Sequence, residues 1–420
     1  MSERARDDRA ARGTGGAAHR GNIAKVQLYQ ALTNFSLFMP VWIVFLQTER
    51  GLTLTQITVM MGLSWVLMAL AEVPTGVLAD AVGRRFTLLV GTATVAAGIA
   101  MMALVPSYWG VMAGYLAWSV GMALQSGSDM ALQYDSLRAD GREDAYPAVA
   151  GRSYALIQLA QGVASVVGGW AAALSLGLPL LLTSVLTLLG LGAVLALKEP
   201  PRGASERRPY LETLRSAVAL VREQPDLRYL IFYSALVSAC AWNVVFLLFQ
   251  PFAMDHHIAV AWIGALFLVL RLAGVAGSQT GPYMARGRPL GWSLLGGPLL
   301  FCAALVAIAF SGSWILGFGC MLLIGFIQGA LRPVLSDRLN QRAPTATRAT
   351  LLSLQSLVRT LATALLQPLL GWSSDQWGLG TAFLLLAGVV AVAVPLRLLW
   401  RRVAPASASA GAAGSGEAGG

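Results

Sequence analysis

The strongest constraint on the fold is a series of apolar runs separated by short polar segments. A helix needs about 20 apolar residues to cross the hydrocarbon core of a bilayer. We number the twelve runs of this kind as spans 1 to 12: 25–47, 56–79, 86–105, 109–135, 147–172, 177–197, 228–250, 260–283, 289–310, 314–337, 347–372 and 379–400. Because a helix satisfies its own backbone in lipid, the pattern predicts an all-α integral membrane protein with twelve transmembrane helices.

The distribution of charge supports this prediction. Only 12% of the residues are charged and 56% are hydrophobic, whereas about a quarter of a soluble protein is charged. The net charge of +10 could suggest a nucleic-acid partner, but nearly all of the 30 lysines and arginines lie in alternate polar segments. Of the exceptions, Arg50 falls in a loop on the other side and three arginines fall within spans. The positive-inside rule then predicts a plasma (inner) membrane protein with both termini in the cytoplasm and no nucleic-acid partner.

The two halves of the chain repeat one another. The same offset separates Asp135 from Asp337 and Gly169-Trp170 from Gly371-Trp372. This repeat predicts two pseudo-symmetric six-helix bundles with a substrate site between them at the membrane midplane. The predicted organisation is a disordered N-terminus (1–21), an N-terminal bundle (22–197), a cytoplasmic linker with an amphipathic helix (198–227), a C-terminal bundle (228–402) and a disordered tail (403–420).

A short motif joins spans 2 and 3. It reads Glu72-Val-Pro-Thr-Gly-Val-Leu-Ala-Asp80-Ala-Val-Gly83-Arg84-Arg85, and the next apolar run begins at Phe86. Its G-x-x-x-D-x-x-G-R-R pattern resembles the loop 2–3 signature of the major facilitator superfamily of transporters. Together with Gln133-Tyr134-Asp135 at the end of span 4, it is similar to a branch of bacterial drug or metabolite exporters.

The resemblance implies alternating access and a cytoplasmic gate. In such a gate Gly83 forms the turn, Asp80 joins a charge cluster with span 11, and Arg84 or Arg85 pairs with Asp135. The chain departs from two patterns of the family. Residues 117–120 of span 4 hold no arginine before Gly121, and residues 164–169 of span 5 keep only the closing glycines of an antiporter motif. The direction of transport and the coupling ion therefore stay open.

Charges inside spans are candidates for function because they are expensive in lipid. Glu72 and Asp129 are candidate proton carriers, and the alternative is that they make structural bonds between helices or with the charge cluster. Arg271 and Arg359 lie near the middle of spans 8 and 11, so they predict anchors for a substrate anion or proton-exchanging partners of the two acids. Fixed ion pairs are the alternative for both. Arg332, nearer the inner end of span 10, is predicted to be structural or gating.

Uncharged polar side chains extend the candidate site. Asn34 and Asn243 rank first, since the resemblance places spans 1 and 7 along the cavity. Interhelical hydrogen bonding is their alternative role. The three cysteines lie in apolar runs and predict small buried hydrophobic side chains rather than a metal site. No cofactor motif occurs, and the absence of a P-loop argues against ATP-driven transport.

The resulting prediction is a secondary transporter that works by alternating access. Its expected task is proton-coupled efflux of a small amphipathic drug or metabolite, with protons and the lipid bilayer as further partners and a monomer as the expected state. The alternative is an uptake carrier for a small anionic or polar nutrient, which Arg271 and Arg359 would suit. A membrane-embedded enzyme is disfavoured, because the chain has only three histidines, and a non-transporting receptor would show no flux.

Overall fold

The protein was analysed as a computed structural model, which describes residues 21–200, 218–219, 221–285, 290–342 and 348–393. These ranges are helical and contain no strand. The predicted disordered termini and most of the predicted amphipathic helix of the linker lie outside them. Nine spans are single helices: Leu54–Val82, Arg84–Leu104, Tyr146–Leu174, Leu178–Leu195, Val260–Ala285, Leu290–Ala309, Trp314–Arg342, Arg348–Trp377 and Leu379–Ala393.

Three spans are interrupted, which corrects the expectation of continuous helices in spans 1 and 4. Span 1 consists of Asn22–Asn34 and Trp42–Thr48, and Pro40, which cannot donate a backbone hydrogen bond, lies in the gap. Span 4 consists of Tyr108–Gln125 and Ser128–Ala139. Gly127 ends the first of these with a φ of 73°, a left-handed conformation that favours glycine.

Span 7 keeps its helical course but changes its winding. Helices Pro225–Asn243 and Phe249–Asp255 are joined by a π-helical turn, Val244–Leu248. A π turn inserts a residue into the α-helical repeat and re-aims the side chains that follow it, and such turns are frequent at functional sites. The side chains on either side of this turn therefore face different neighbours than a regular helix would give them.

Length and apolar character identify seven helical stretches that could cross a membrane alone, within the part of the chain that the structure describes. Spans 9 and 12 add the shorter apolar helices Leu295–Ala309 and Leu379–Ala393. The remaining spans 1, 4 and 11 complete the twelve. Spans 1 and 4 are broken, and span 11 carries several polar side chains, so these three depart most from a simple membrane helix. Discontinuous helices in transporters commonly mark the binding region.

Glycines allow close packing within each six-helix bundle. A Cβ atom on Gly98 of span 3 would lie 2.6 Å from the carbonyl oxygen of Gly114 in span 4, and one on Gly91 would lie 2.9 Å from that of Gly121. Small residues at these positions let the two helix backbones approach each other, as they do in membrane helix pairs generally.

The two bundles meet on the side that lacks basic loops, which we call the opposite side; the arginine-rich side is the basic side. Spans 2 and 11 touch where a Cβ on Gly62 would lie 2.7 Å from the carbonyl oxygen of Ala364. Spans 5 and 8 touch where one on Gly169 would lie 3.0 Å from the backbone nitrogen of Gly264. Both contacts are backbone to backbone, so this side is tightly closed.

Polar contacts reinforce this closure. Gln250 of span 7 binds the gap in span 1, accepting from the backbone nitrogen of Ile43 at 2.9 Å and donating to the Met39 carbonyl at 3.0 Å. Asp375 of span 11 accepts from the backbone nitrogens of Leu54 and Thr55, at 3.1 and 2.7 Å, where span 2 begins. Free backbone donors at a helix start favour a negative charge, so this carboxylate stabilises the junction.

Toward the basic side the bundles diverge. Gly76 follows Gly62 in span 2 by about four helical turns, yet a Cβ on Gly76 would meet no atom within 4 Å. The same holds for Gly151 at the basic end of span 5. The fold is thus closed on the opposite side and open between the bundles on the basic side.

Candidate functional site

The candidate site is a cavity of about 580 Å³ formed by spans 7, 8, 10 and 11. This volume suits a small organic molecule. The lining residues are Ser234, Ala235, Ser238, Ala241, Trp242, Val245, Phe246, Leu270, Arg271, Gly274, Gly325, Gln328, Arg332, Ser336, Leu352, Gln355, Ser356 and Arg359. All belong to the C-terminal bundle, whereas the sequence repeat predicts a site that both bundles form.

Three arginines dominate the electrostatics of this cavity. Arg271, Arg332 and Arg359 come from spans 8, 10 and 11, and the lining includes no aspartate or glutamate. Arg332 and Arg359 are close enough for their charges to interact. Like charges that face one cavity in a membrane protein repel each other and attract an anion. The cavity is therefore a positively charged site without a resident counter-ion among its lining side chains.

The structure places Arg271 and Arg359 in the cavity, away from both predicted acidic partners. Arg271 donates to Oε1 of Gln161 at 2.6 Å and to Oε1 of Gln158 at 3.4 Å, both in span 5. Arg359 donates to the hydroxyl of Ser356 at 3.4 Å, one turn away in its own helix. Neutral oxygens leave the positive charge of each guanidinium uncompensated.

Arg332 is a cavity residue that the sequence prediction assigned to structure or gating. Its position near the basic end of span 10, just before Pro333, favoured that assignment. A signal was nevertheless present, because residues four apart on a helix share a face, and Gln328 also lines the cavity.

An aromatic wall faces the arginines. Trp242 and Phe246 stack at 3.9 Å between ring centroids, and Trp65 of span 2 meets Trp242 edge-on at 5.7 Å. The π turn after Asn243 lies within this wall and places both rings at the cavity. Flat apolar rings beside guanidinium groups provide contacts for a ligand with an anionic head and an apolar body.

Asn243 itself lies behind the wall. Its side chain is fully buried and donates to the Ala239 carbonyl at 2.9 Å. It is outside the cavity lining, so it supports span 7 from within. Gln355 has a comparable structural contact, because it donates to the Ser234 hydroxyl at 2.7 Å and ties span 11 to span 7.

The predicted acids lie in the N-terminal bundle. Asp129 begins the second helix of span 4 and accepts a hydrogen bond from the amide of Gln30 at 2.7 Å. Asn34 accepts one from the Gln161 amide at 3.0 Å. Glu72 is exposed in span 2, toward the open side, and its carboxylate forms no hydrogen bond or ion pair with the described part of the chain.

The predicted gate residues are joined within the N-terminal bundle. Gly83, with a φ of 124°, forms the turn from which span 3 starts. Arg84 forms an ion pair with Asp135. Arg85 donates to the carbonyls of Val194 and Leu195, at 3.3 and 2.6 Å, at the end of span 6. The side chain of Asp80 lies outside the described residues.

Glu199 is a contact that the sequence prediction missed. Its two carboxylate oxygens accept from the backbone nitrogens of Arg84 and Arg85, each at 2.9 Å. A negative charge at a helix start satisfies free donors and complements the helix dipole. With Arg85 on the end of span 6, the turn and the start of the linker bind each other reciprocally.

Removing this cap is expected to destabilise the protein. Glu199→Ala leaves the first backbone donors of span 3 without their carboxylate, which costs about 1–2 kcal/mol for a charged helix cap. Thermal unfolding in detergent measures the loss. Glu223→Ala, which removes an exposed carboxylate in the linker, is the matched control, and equal melting temperatures for the two variants would contradict the capping role.

Twelve helices around a charged cavity, closed on one side and open on the other, define a multi-pass membrane transporter rather than an enzyme. The sequence profile of the Major Facilitator Superfamily matches residues 30–366, so the chain belongs to this family. A comparison with curated protein sequences gives no match.

Solved transporter structures share the fold at low sequence identity. One is the inward-facing, unoccupied structure of a bacterial homologue of the human lysosomal transporter Spinster, with a TM-score of 0.73, 15% identity, and coverage of 92% of this chain and 97% of that one. The nucleoside transporter NupG gives 0.74 at 13% identity, covering 91% and 99%. A D-xylose-proton symporter gives 0.65 at 13% identity, covering 89% and 95%.

Proposed function

We propose that the protein exports a small amphipathic organic anion across the plasma membrane in exchange for protons. The observation that carries this proposal is the cavity with Arg271, Arg332 and Arg359 and no lining carboxylate. Export of an amphipathic compound is what the sequence resemblance suggests, and the cavity adds that the compound is negatively charged.

The cavity chemistry matches such a ligand in two respects. Guanidinium groups bind carboxylate and phosphate oxygens through strong, often bidentate hydrogen bonds. Trp242, Phe246 and Leu270 supply an apolar surface on the same cavity, which would hold the body of the molecule. A cation would have to enter against three like charges, so cationic drugs are poor candidates for this site.

The direction of transport follows from the electrical gradient and from the open side. The positive-inside rule makes the basic side cytoplasmic, so the cavity collects its ligand from the cytoplasm in this conformation. A membrane potential that is negative inside favours outward movement of an anion by about 2.3 kcal/mol per charge per 100 mV. Export therefore uses the potential, whereas uptake of the same anion would oppose it.

Protons are assigned to the acids of the N-terminal bundle. Asp129 lies behind a buried glutamine, and Glu72 is exposed toward the open side between the bundles. Neutralising such carboxylates can shift a two-state equilibrium between conformations. In this proposal the Arg84–Asp135 pair, with Gly83 and Asp80, belongs to the cytoplasmic gate that closes when the opposite side opens.

Proton-driven uptake of a small anionic nutrient is the second candidate. The arginine cavity favours it equally, because co-transported protons could overcome the unfavourable potential for an anion. The two candidates predict opposite responses to a pH gradient. A gradient that is acidic outside would accelerate efflux of the anion in an antiporter and its influx in a symporter.

Transport in proteoliposomes tests both the charge of the substrate and the proton coupling. The probes are benzoate, phthalate and phenyl phosphate, with benzyltrimethylammonium as the cationic control. We expect counterflow of at least one anion and none of the cation, and acceleration of anion efflux by external acid. Glu72→Gln with Asp129→Asn should remove that acceleration. Counterflow of the cation alone would overturn the anion proposal, and efflux indifferent to pH would overturn the proton exchange.

A further inference from the structure

A chain of amide side chains connects the cavity with the N-terminal bundle. Arg271 donates to Oε1 of Gln161 at 2.6 Å, and Nε2 of Gln161 donates to Oδ1 of Asn34 at 3.0 Å. Asn34 donates to the main-chain oxygen of Gln30 at 2.9 Å, and the Gln30 side chain donates to Asp129 at 2.7 Å. We call this series the amide relay. It links the cavity arginine of span 8 to the carboxylate of span 4 through spans 5 and 1.

The charges at the two ends fix the orientation of the amides. A guanidinium can only donate, so Arg271 requires the oxygen of Gln161 and leaves its NH₂ group for Asn34. An ionised carboxylate can only accept, so Asp129 requires the NH₂ group of Gln30. Every amide in the relay consequently donates toward Asp129. Hydrogen bonds aligned in this way polarise one another in a medium of low dielectric constant.

The N-terminal end of the relay is held in place by further contacts. Gln30 has only 1% of its surface exposed, and its oxygen accepts from Gln133 at 3.2 Å. Gln133 also donates to the Ser153 hydroxyl of span 5 at 2.8 Å. The amide of Gln30 thus has defined partners on both of its polar atoms, and a change at Asp129 must alter this network.

Either end can release the relay. A substrate carboxylate or phosphate forms a stronger, charge-assisted bond with Arg271 than a neutral amide does, so it takes the guanidinium away from Gln161. A proton on Asp129 makes this group a donor as well as an acceptor, so the orientation of Gln30 is no longer fixed. Anion and proton therefore act on the same series of hydrogen bonds from opposite ends.

We infer that Gln161 is the positioning residue that couples anion binding at Arg271 to proton occupancy at Asp129. This inference rests on the proposed function and concerns the regulation of the same site. In the empty carrier Gln161 holds Arg271 toward span 5. When the anion binds, Gln161 loses its donor, and spans 1 and 4 are free to adopt the arrangement that a protonated Asp129 favours.

Other ionisable groups surround this end of span 4 and must be considered. Tyr29 of span 1 interacts electrostatically with Asp129, and Arg84 of span 3 is bound to Asp135 in the same helix. The charged or titratable residues on the elements packed against this helix are Lys25, Tyr29, Arg84, Arg85, Glu143, Asp144, Tyr146, Arg152 and Tyr154. The pH profile of Asp129→Asn in the test below separates Asp129 from these groups.

Two substitutions of Gln161 have opposite expected effects. Gln161→Leu keeps the volume but removes both hydrogen bonds, so Arg271 stays available to the anion. Counterflow of phthalate should continue with a KM within about threefold of the wild-type value, while the acceleration by a pH gradient should be lost, as in Asp129→Asn. Gln161→Glu places a carboxylate on Arg271 that competes with the substrate. It should raise the KM for phthalate by about tenfold or more while the rate at saturation changes little.

Gln125→Leu is the matched control, because this amide of span 4 donates to the Thr92 hydroxyl at 3.3 Å and lies outside the relay. It should retain the response to pH. Asn34→Leu interrupts the relay one bond further on and should reproduce Gln161→Leu, which keeps the test decisive should Gln161→Leu fail to fold.

Different outcomes refer to different claims. Absence of anion counterflow in the wild-type protein would refute the proposed function itself. Retention of the pH response in both Gln161→Leu and Asn34→Leu would refute the relay alone. Loss of counterflow together with the pH response, in variants with normal melting temperatures, would also refute it, since Gln161 would then serve transport as a whole rather than its coupling.

Discussion

Arg359→Gln is expected to abolish measurable anion transport while leaving the protein as stable as before or more stable. The guanidinium faces the cavity beside Arg332 and contacts only the Ser356 hydroxyl at 3.4 Å. Its loss removes a hydrogen bond to a charged ligand, worth about 1.5–3 kcal/mol, or roughly a 10- to 150-fold weaker affinity. Removing an uncompensated positive charge also relieves repulsion in the empty cavity. Binding of phthalate and thermal unfolding measure the two effects separately.

Arg338→Gln is the matched control for this prediction. Arg338 is exposed on span 10 and outside the cavity lining, so the same change in charge should leave affinity nearly unaltered. Arg359→Lys keeps the charge but loses the planar fork, and its affinity should lie between those of the wild type and Arg359→Gln. A melting temperature for Arg359→Gln well below that of the wild type would show that Arg359 is a structural ion partner instead.

Gly264→Leu is expected to block transport by preventing closure of the opposite side. A Cβ at this position would lie 3.0 Å from the backbone nitrogen of Gly169 and would collide with the carbonyl of Ser165. The collision is with backbone, so the side chain cannot relieve it by changing rotamer. Overpacking of this kind costs about 1–3 kcal/mol, which shifts a two-state equilibrium by about 5- to 150-fold. The conformation that is open on the basic side would be depopulated.

Cysteine accessibility can detect this shift. Thr58 is buried between spans 2 and 11 on the opposite side, so Thr58→Cys should react with an impermeant maleimide only when that side opens. Cys240, Cys302 and Cys320 must be replaced first. Faster labelling is expected with Gly264→Leu. Gly192→Leu, at a position with no atom within 4 Å of a Cβ, should label like the parent, and an unchanged rate in Gly264→Leu would contradict the closure argument.

The sequence predicted the features that depend on burial in lipid alone. The positions of the spans follow from apolar length, and the cavity arginines Arg271 and Arg359 follow from the cost of a charge in mid-membrane. The breaks in spans 1 and 4 were missed because apolar residues continue across both of them. Pro40 and Gly127 were visible signals, but many membrane helices tolerate such residues.

Contacts between distant segments could not be predicted from the local pattern. Glu199 lies just beyond span 6, and its role depends on where span 3 starts in space. Asp375 likewise acts on the start of span 2, far away in the sequence. The pairing of Arg271 with glutamines rather than with Glu72 or Asp129 was equally hidden, because the sequence shows which charges are deep but not which helices adjoin.

The confinement of three arginines to one bundle makes the empty and loaded carriers respond differently to voltage. The cavity charges of the C-terminal bundle have no acid beside them, so reorientation of the empty carrier moves net positive charge relative to the membrane field. Each elementary charge that crosses the full field contributes about 2.3 kcal/mol per 100 mV. A bound anion neutralises part of this charge. The return of the empty carrier should therefore be the step that sets the voltage dependence of turnover and produces transient currents in substrate-free membranes.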